Sequence, residues 1–565
     1  MSASNIKVAD YIFQAIQKQG VDFVPIYQSG NALHLINAVG KNKKLREFVN
    51  YHEQANGLAA EAYGRFKKLG VCCVGAGPAA TNLSSAVMSA YCDSIPSLFV
   101  TGQVGMFHNK LNRKIRQRGF QEVDVQAHMK PITKYSVMVK KVENIRFEIE
   151  KCIYLATNGR PGPVVIDVPY NIQVSKINPN KLKSFKPPIK KSKISYYQSI
   201  SKQLLNEIDR SKKPLILLGG GAQNLKNNNL VLKLLNKLNI PVATTWQSAD
   251  MLYYDFPLNM GCAGRSGNRS AVYSIQECDL LVSFGCRFTT KVVINEKTFA
   301  SKARKISFDI DKYEFLQGLI KFDKGYEVDL KEFLPALNKE VSKKSFVKFN
   351  KNEWNKRIST LKKEYYKIDE TIKSKDKKYI SPFKFINQLF LEAKNNAIFI
   401  PDAGMNITWT YQANMLKKGQ RIFTGLGASP MGYALPASVG AYYATKSDQT
   451  IVLAGDGGFQ MNIQELQAVA FHKLPIKIII LNNESLGNTR FPAQRMFGNS
   501  TGNDNKGGYG WPDFVKVAKS YGIEAMNIKN SKNLKPQIRK VLRSKKPILV
   551  DVRIDPKQFM LDTPI

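Results

Sequence analysis

The 565-residue chain predicts an α/β protein built from three doubly wound, parallel-sheet domains. Short apolar runs bounded by glycine or proline recur along it: VCCVGAG, PVVIDVP, PLILLGGG, DLLVSFG, AIFIPDAG, TIVLAGDG and IKIIILNN. Runs of that length and setting read as strands buried on both faces of a parallel sheet. Segments with helical apolar spacing lie between them, and strand–helix alternation is the pattern of doubly wound sheets. Two lysine-rich stretches then divide the chain. One is KINPNKLKSFKPPIKKSK (176–193); the other opens at KKSFVKFNKNEWNKR (343–357) and runs on through the charged helical segment ISTLKKEYYKIDETIKSKDKKY. Read as linkers, they predict domains over residues 1–175, 194–342 and 376–565. The length suits about three domains.

The N-terminus, MSASNIKVADYIFQAIQKQGV, has apolar residues at helical spacing and no cleavable signal pattern. It reads as the first helix of a cytoplasmic domain. No apolar run reaches the roughly 18 residues that a membrane helix needs. Seven scattered cysteines without paired spacing argue against a disulfide framework or a zinc site. The 84 basic and 44 acidic residues give a net charge of +40. A basic nucleic-acid-binding protein is the competing class, and it would bind with a steep salt dependence. Yet the lysines recur along the whole chain, and no zinc finger, RNA-binding signature or basic helical repeat accompanies them. The charge reads as a compositional bias spread over the surface.

Within GDGGFQMNIQELQAVAFHKLPIKIIILNN (455–483), TIVLA supplies a preceding strand and GDGG the turn at its end. Asn462 and Glu465 have the spacing of a capping box, and Ile463, Leu466, Val469 and Ala470 form the apolar face of the next helix. IKIIIL is a second strand, ending in Asn482 and Asn483. A strand–helix–strand unit puts both strand ends on one sheet edge, where open α/β sheets bind ligands. Asp456 and Asn483 can therefore converge. A carboxylate, an amide oxygen and a backbone carbonyl are hard ligands that suit Mg²⁺ bridging to phosphate. Gly457 and Gly458 let the backbone approach a diphosphate, and the following helix start favours anions. The plainer alternative is two ordinary turns that never meet.

GDG followed by NN at this spacing resembles the thiamine diphosphate (ThDP) fingerprint. HEQANGLAAEAYGRF, GAGPAATN, DSIPSLFVTGQV, FQEVD, GRPGPVVIDVP, PDAGMNITW and ASPMGYALPASVGA resemble, in colinear order over nearly the whole chain, the acetolactate synthase (acetohydroxyacid synthase large subunit) family. The resemblance implies a pyrimidine-binding, a central FAD-binding-like and a diphosphate-binding domain. It implies Mg²⁺ on Asp456, Asn483 and the carbonyl of Ser485, with the diphosphate beside Gly457 and Gly458. Gly30, Asn82, Gly404 and Met405 would adjoin the cofactor, and Met431 would be the apolar wedge that bends it. Glu53 would be the carboxyl partner of the aminopyrimidine, exchanging a proton with it from an apolar pocket. Phe120 and Gln121 would border a second substrate. The family also implies a homodimer or tetramer, with Glu53 and the GDG block meeting across the dimer interface. Its reaction is decarboxylation of a 2-keto acid, usually pyruvate, with carboligation, the cofactor acting as electron sink.

PLILLGGGAQN, GRSGNRSAVYSIQECDLLVSFGCRF and KISFDID resemble the family's flavin-holding turns. By position the candidate FAD contacts are Arg160, Gly220, Gly221, Gly264, Ser266, Gly267, Arg287, Asp309 and Asp329. The flavin plays no redox part in the family's ligation.

The chain also departs from the family. Phe491 and Pro492 stand where a tryptophan selects 2-ketobutyrate. TTKV replaces DDRV, bringing Thr290 and Lys291, while Tyr170 replaces a lysine and Arg265 a methionine. NN, then N-T-R, FG and PDF, look more like relatives associated with lipopolysaccharide and capsule sugars, some of which transfer an acetyl unit from pyruvate to a nucleotide-linked keto sugar. Arg265, Lys291, Arg490 and Arg495 would suit a phosphorylated acceptor. GMFHNKLNRKIRQRG (105–119) reads as an exposed polar helix or as basic residues that meet a phosphorylated substrate, and NSTGNDNKGGYG (499–510) as a lid or mobile loop.

Overall fold

The computed structural model describes residues 5–189, 193–223, 228–343, 349–366, 374 and 378–561. It contains three six-stranded sheets in which all neighbouring strands are parallel, as expected. The first sheet runs Arg46–Val49, Phe23–Ile26, Gly70–Val74, Ser97–Gln103, Pro163–Pro169, Tyr135–Met138. The central one runs Asn259–Cys262, Val242–Thr244, Pro214–Leu218, Leu280–Phe284, Arg304–Asp309, Lys324–Glu327. The third runs Arg421–Ile422, Ile398–Pro401, Thr450–Gly455, Lys477–Asn482, Ile548–Arg553, Glu524–Ile528. Every residue of Gly70–Val74, Ser97–Gln103 and Pro163–Pro169 is buried, so these runs show no polar alternation.

Counted within each sheet, the outer two share the order 2-1-3-4-6-5, and the central one is 3-2-1-4-5-6. Each order has a switch point, where two neighbouring strands send their connections in opposite directions. That is where open α/β sheets leave a crevice at the strand C-termini.

The first and third units share a core. Helix Glu53–Phe66 lies along helix Ala434–Thr445, and the two approach closely because small residues face each other. A Cβ at Gly440 would fall 1.9 Å from the carbonyl oxygen of Ala59. Phe23 stacks on Tyr443 at 4.3 Å. The buried Tyr433 hydroxyl donates to Glu61 at 2.5 Å, and Arg65 pairs with both Glu61 and Asp93.

Three local expectations change. The second stretch is not a free spacer: among its described residues the helix, expected from Ile358 on, spans Asn352–Tyr365, and Trp354, Ile358 and Leu361 enter the central core. The Trp354 indole N–H donates to the Pro214 carbonyl at 3.0 Å. Their i, i+4, i+7 spacing was hidden among lysines. In the first linker, Phe185 packs on Phe147 and Tyr154 of the first unit. Residues 190–192, 344–348, 367–373 and 375–377 of the two stretches lie outside the described residues. Segment 105–119 is not a long helix; only Met106–His108 forms a short turn of 3₁₀ helix. The Glu122 carboxylate gathers this segment by accepting from the backbone N–H groups of Lys110, Arg118 and Gly119.

The seven cysteines are unpaired. Among the described residues no helix is long and apolar enough to cross a membrane, and no cluster of three His, Cys, Asp or Glu side chains could hold a metal.

Candidate active site

In the third sheet the switch point lies between Ile398–Pro401 and Thr450–Gly455. Asp456 follows directly and opens a short helix, Asp456–Gln460, so GDGG turns straight into helix. The next strand ends at Asn482, and Glu484 adopts a left-handed φ of 56°. That turn swings Ser485 back, and its backbone N–H donates to Asp456 Oδ2 at 3.3 Å. Asp456, Asn483 and Ser485 are thus brought together. Asp456 is 1% exposed, and burial pushes its pKa up to about 6 although neutral donors surround it. One donor is the Tyr509 hydroxyl, 3.0 Å from Oδ1, reaching in from loop 499–510. The Asn483 amide nitrogen donates to Ser485 Oγ at 3.0 Å, so the amide oxygen is the atom that could meet a metal. One carboxylate, one amide oxygen and nearby carbonyls form a donor set that fits Mg²⁺.

Met431 lies beside this turn: a Cβ at Gly457 would fall 3.6 Å from its Cε and 2.3 Å from Leu486 Cδ2. The turn carrying Met431 is fixed by Asp402, which sequence reasoning passed over. Its buried carboxylate accepts from the N–H groups of Ala403, Gly432 and Ala434. A Cβ at Gly458 would fall 2.9 Å from Asp402 Oδ1, and Gly404 and Met405 follow at the start of helix Met405–Gln412. The signal was present in PDAGMNITW, an acidic residue between a strand end and a glycine.

The capping-box expectation for Asn462 and Glu465 fails. Neither makes a side-chain cap. Both oxygens of Glu465 instead accept from the Tyr51 N–H, at 3.1 and 2.9 Å. The Asn462 amide donates to the Gly432 carbonyl at 2.9 Å and to Gln54 Oε1 at 3.4 Å.

In the first unit Glu53 opens helix Glu53–Phe66, and Asn82, the last residue of helix Pro78–Asn82, donates to its Oε2 at 2.9 Å. Gln121 has a left-handed φ of 62° and backs onto Gly77, where a Cβ would fall 2.5 Å from its carbonyl oxygen. Phe120 is 83% exposed. Gly30 opens a 3₁₀ turn after strand Phe23–Ile26. Among the described residues no hydrogen bond joins Glu53 itself to the Asp456 cluster.

At the central switch point, a Cβ at Gly219 would fall 2.1 Å from the Gly285 carbonyl oxygen, so only bare backbone fits there. A crevice there is lined by Arg160, Gly220, Gly221, Arg287, Asp309 and Asp329. It shares Gly220, Gln247 and Arg287 with a wider cleft that reaches Thr290, Lys291, Gly404 and Asn488. Burial pushes the Asp309 carboxyl up to about 7. Arg160 is already paired with Asp311 and Glu314, at 2.8 and 2.7 Å. Six of the nine proposed flavin contacts therefore line one crevice. The other three do not: Gly264 lines a small neighbouring pocket, the Ser266 hydroxyl bonds Thr408, and Gly267 packs on the Cys262 carbonyl. Glycine backbone, an arginine and carboxyl acceptors in one crevice fit a dinucleotide.

At the divergent positions, Phe491 packs on Phe559 with centroids 4.6 Å apart, and Arg490 donates to the Pro556 carbonyl. Pro492 and Arg495 are exposed on helix Gly487–Phe497. Arg265 donates its backbone N–H to the Lys291 carbonyl, and the Tyr170 hydroxyl meets His34 at 3.1 Å.

Three models of the thiamine pyrophosphate enzymes match the chain: the N-terminal TPP binding domain at residues 6–129, the central domain at 201–337 and the C-terminal TPP binding domain at 402–552. The chain is 32% identical to a probable acetolactate synthase large subunit of Methanocaldococcus jannaschii, covering 98% of this chain and 93% of that one. It is 31% identical to the acetolactate synthase large subunit of Lactococcus lactis subsp. lactis over 97% and 93% of the two chains. It is 33% identical to that of Cyanidium caldarium over 90% and 86%.

Proposed function

The chain belongs to the acetolactate synthase large-subunit family of thiamine pyrophosphate enzymes, and from that premise we propose that it decarboxylates pyruvate and joins the two-carbon remainder to a second 2-keto acid. The observation that carries this reading is the near full-length match to acetolactate synthases on both chains. Those relatives do not favour the sugar-linked acceptor.

When bound, thiamine diphosphate supplies the electron sink for loss of CO₂. The chain's own groups do the rest. Asp456, the Asn483 amide oxygen and the Ser485 carbonyl would hold Mg²⁺. A divalent cation would also compensate a carboxylate that is buried among neutral donors. Gly457 and Gly458 would let the backbone meet the diphosphate, and Met431 would brace the cofactor from beside Gly457. The Glu53 carboxyl would hold and move a proton at the pyrimidine, with Asn82 orienting it. Phe120 and Gln121 would border the second substrate; backbone held in the left-handed region at Gln121 is the kind of strain that clusters at functional sites. FAD would occupy the crevice from Asp329 to Arg287 as a structural group.

A homodimer or tetramer with shared sites would cover the exposed Phe120 and Phe471, 83% and 73% accessible in the single chain. The unpaired cysteines support a cytoplasmic setting.

The test is product analysis with purified protein, ThDP, Mg²⁺, FAD and labelled pyruvate, with no other carbonyl present. Rapid labelled acetolactate is expected. Slow CO₂ release with little acetolactate would overturn pyruvate as acceptor and turn attention to Lys291 and the substituted positions around it.

A further inference from the structure

We infer that Glu465 and Asn462 form a clamp from the diphosphate-binding domain that sets the backbone of Glu53, making both positioning residues for the proton-transferring carboxyl. The inference rests on the assignment of Glu53 above.

Glu465 is fully buried, and both its carboxylate oxygens accept from the backbone N–H of Tyr51, 414 positions away in sequence, while the neighbouring Gln464 amide adds a longer bond to Oε1. A buried carboxylate is costly unless its hydrogen bonds are strong, so this contact is a specific one. Asn462 grips the other side through Gln54. The residues two before and one after Glu53 are therefore held by a single four-residue segment. Between those two grips the chain passes from strand Arg46–Val49 into helix Glu53–Phe66, with His52 extended at φ −142° and ψ 140°. That entry angle decides where the first helical side chain points.

The same segment reaches the other cofactor-facing groups. Asn462 also bonds the Gly432 carbonyl, next to Met431, and it follows the short helix that Asp456 opens. Mere cementing of two domains would not need contacts on both sides of one residue. The large shared helix interface already does that work.

The experiment uses the full-length protein with ThDP and Mg²⁺. Glu465→Leu removes the acceptor and the charge, and Glu465→Gln keeps one acceptor oxygen as the rescue variant. Hydrogen exchange at the Tyr51 and His52 amides reads the clamp without any turnover. Exchange about tenfold faster is expected in the Leu variant, with partial recovery in Gln. In turnover, kcat is expected to fall at least about tenfold at unchanged KM, since displacements of about 1 Å cost up to roughly 10²-fold. The acid limb of the pH–kcat profile should move with it. Gln54→Ala, at the half-buried end of the clamp, should give the same pattern more weakly, and it carries the test if Glu465→Leu does not fold. Unchanged exchange would overturn the clamp. Faster exchange with unchanged kcat and pH limb would overturn the positioning role. If the parent protein shows no ThDP-dependent turnover, the functional reading fails, while the exchange result still judges the clamp by itself.

Discussion

Replacing Asp456 with asparagine should stabilise the metal-free protein and abolish its response to Mg²⁺. The carboxylate is 1% exposed, and burial pushes its pKa from 3.8 up to about 6. Keeping it ionised at pH 7.5 costs about 3 kcal/mol, at about 1.4 kcal/mol per tenfold in proton affinity. The folded state binds this proton more tightly than the unfolded chain. Stability of the metal-free protein therefore falls as pH rises from about 4 to about 6, and it stays low above that. Asparagine removes the charge but turns an amide NH₂ group toward either the Tyr509 hydroxyl or the Ser485 N–H, which costs about 1–2 kcal/mol. The variant should thus be more stable than the parent by about 1–2 kcal/mol at pH 7.5 in EDTA, with the order reversed at pH 4. With Mg²⁺ and ThDP at about 100 times Kd, the parent should gain about 2.7 kcal/mol and the variant little. Urea unfolding midpoints under the three conditions read all of this. A variant less stable than its parent in EDTA at pH 7.5 would refute the uncompensated-charge argument. An equal gain from Mg²⁺ and ThDP in both proteins would refute the metal assignment.

Two further outcomes follow from the same geometry. Glu53→Gln should leave ThDP and Mg²⁺ affinity, measured calorimetrically, within about twofold while lowering turnover by about 10²–10⁴-fold; full turnover would remove Glu53 from the proton-transfer role. Trp354→Ala should destabilise the central unit by about 3–5 kcal/mol, seen as an early thermal transition, because the indole is buried and bonded to the Pro214 carbonyl. A loss below about 1 kcal/mol would make helix Asn352–Tyr365 peripheral.

What could be read from sequence depended on how local the cause was. The sheets were legible because a strand buried on both faces must be apolar throughout, and VCCVGAG and IKIIILNN announce that directly. The meeting of Asp456 with the Asn483 turn was legible because one strand–helix–strand unit forces both ends to the same edge. Glu465 was not. A capping box and a cross-domain acceptor have the same local spacing, and the choice is made by Tyr51, far away in the chain. Trp354 was missed because one apolar stripe on a lysine-rich helix looks like a linker until the core it fills is known. In 105–119, one carboxylate, Glu122, gathers three backbone N–H groups that a helix would have used itself.

The division of labour among the three units follows from what each switch point offers its crevice. All three sheets part their connections in mid-sheet, so each leaves two strand ends side by side with no crossover above them. The central crevice presents bare glycine backbone with arginine and carboxyl side chains, which suits the polar dinucleotide proposed for it. The third presents a buried carboxylate surrounded by neutral donors, a setting that suits the cation proposed for it. The first, with the same 2-1-3-4-6-5 order as the third, has no such carboxylate at its strand end. Its acid sits instead at a helix start, Glu53, gripped from outside by Glu465 and Asn462. Two sheets of one topology would thus serve opposite chemistry on the proposed reading, an anchor and a proton-transferring carboxyl, because one turn buries its carboxylate in the sheet edge and the other holds it out on a helix end. The contacts on either side of Glu53 come from the segment that follows the Asp456 helix, so the proposed clamp predicts that anchoring and proton transfer respond together to changes at Glu465.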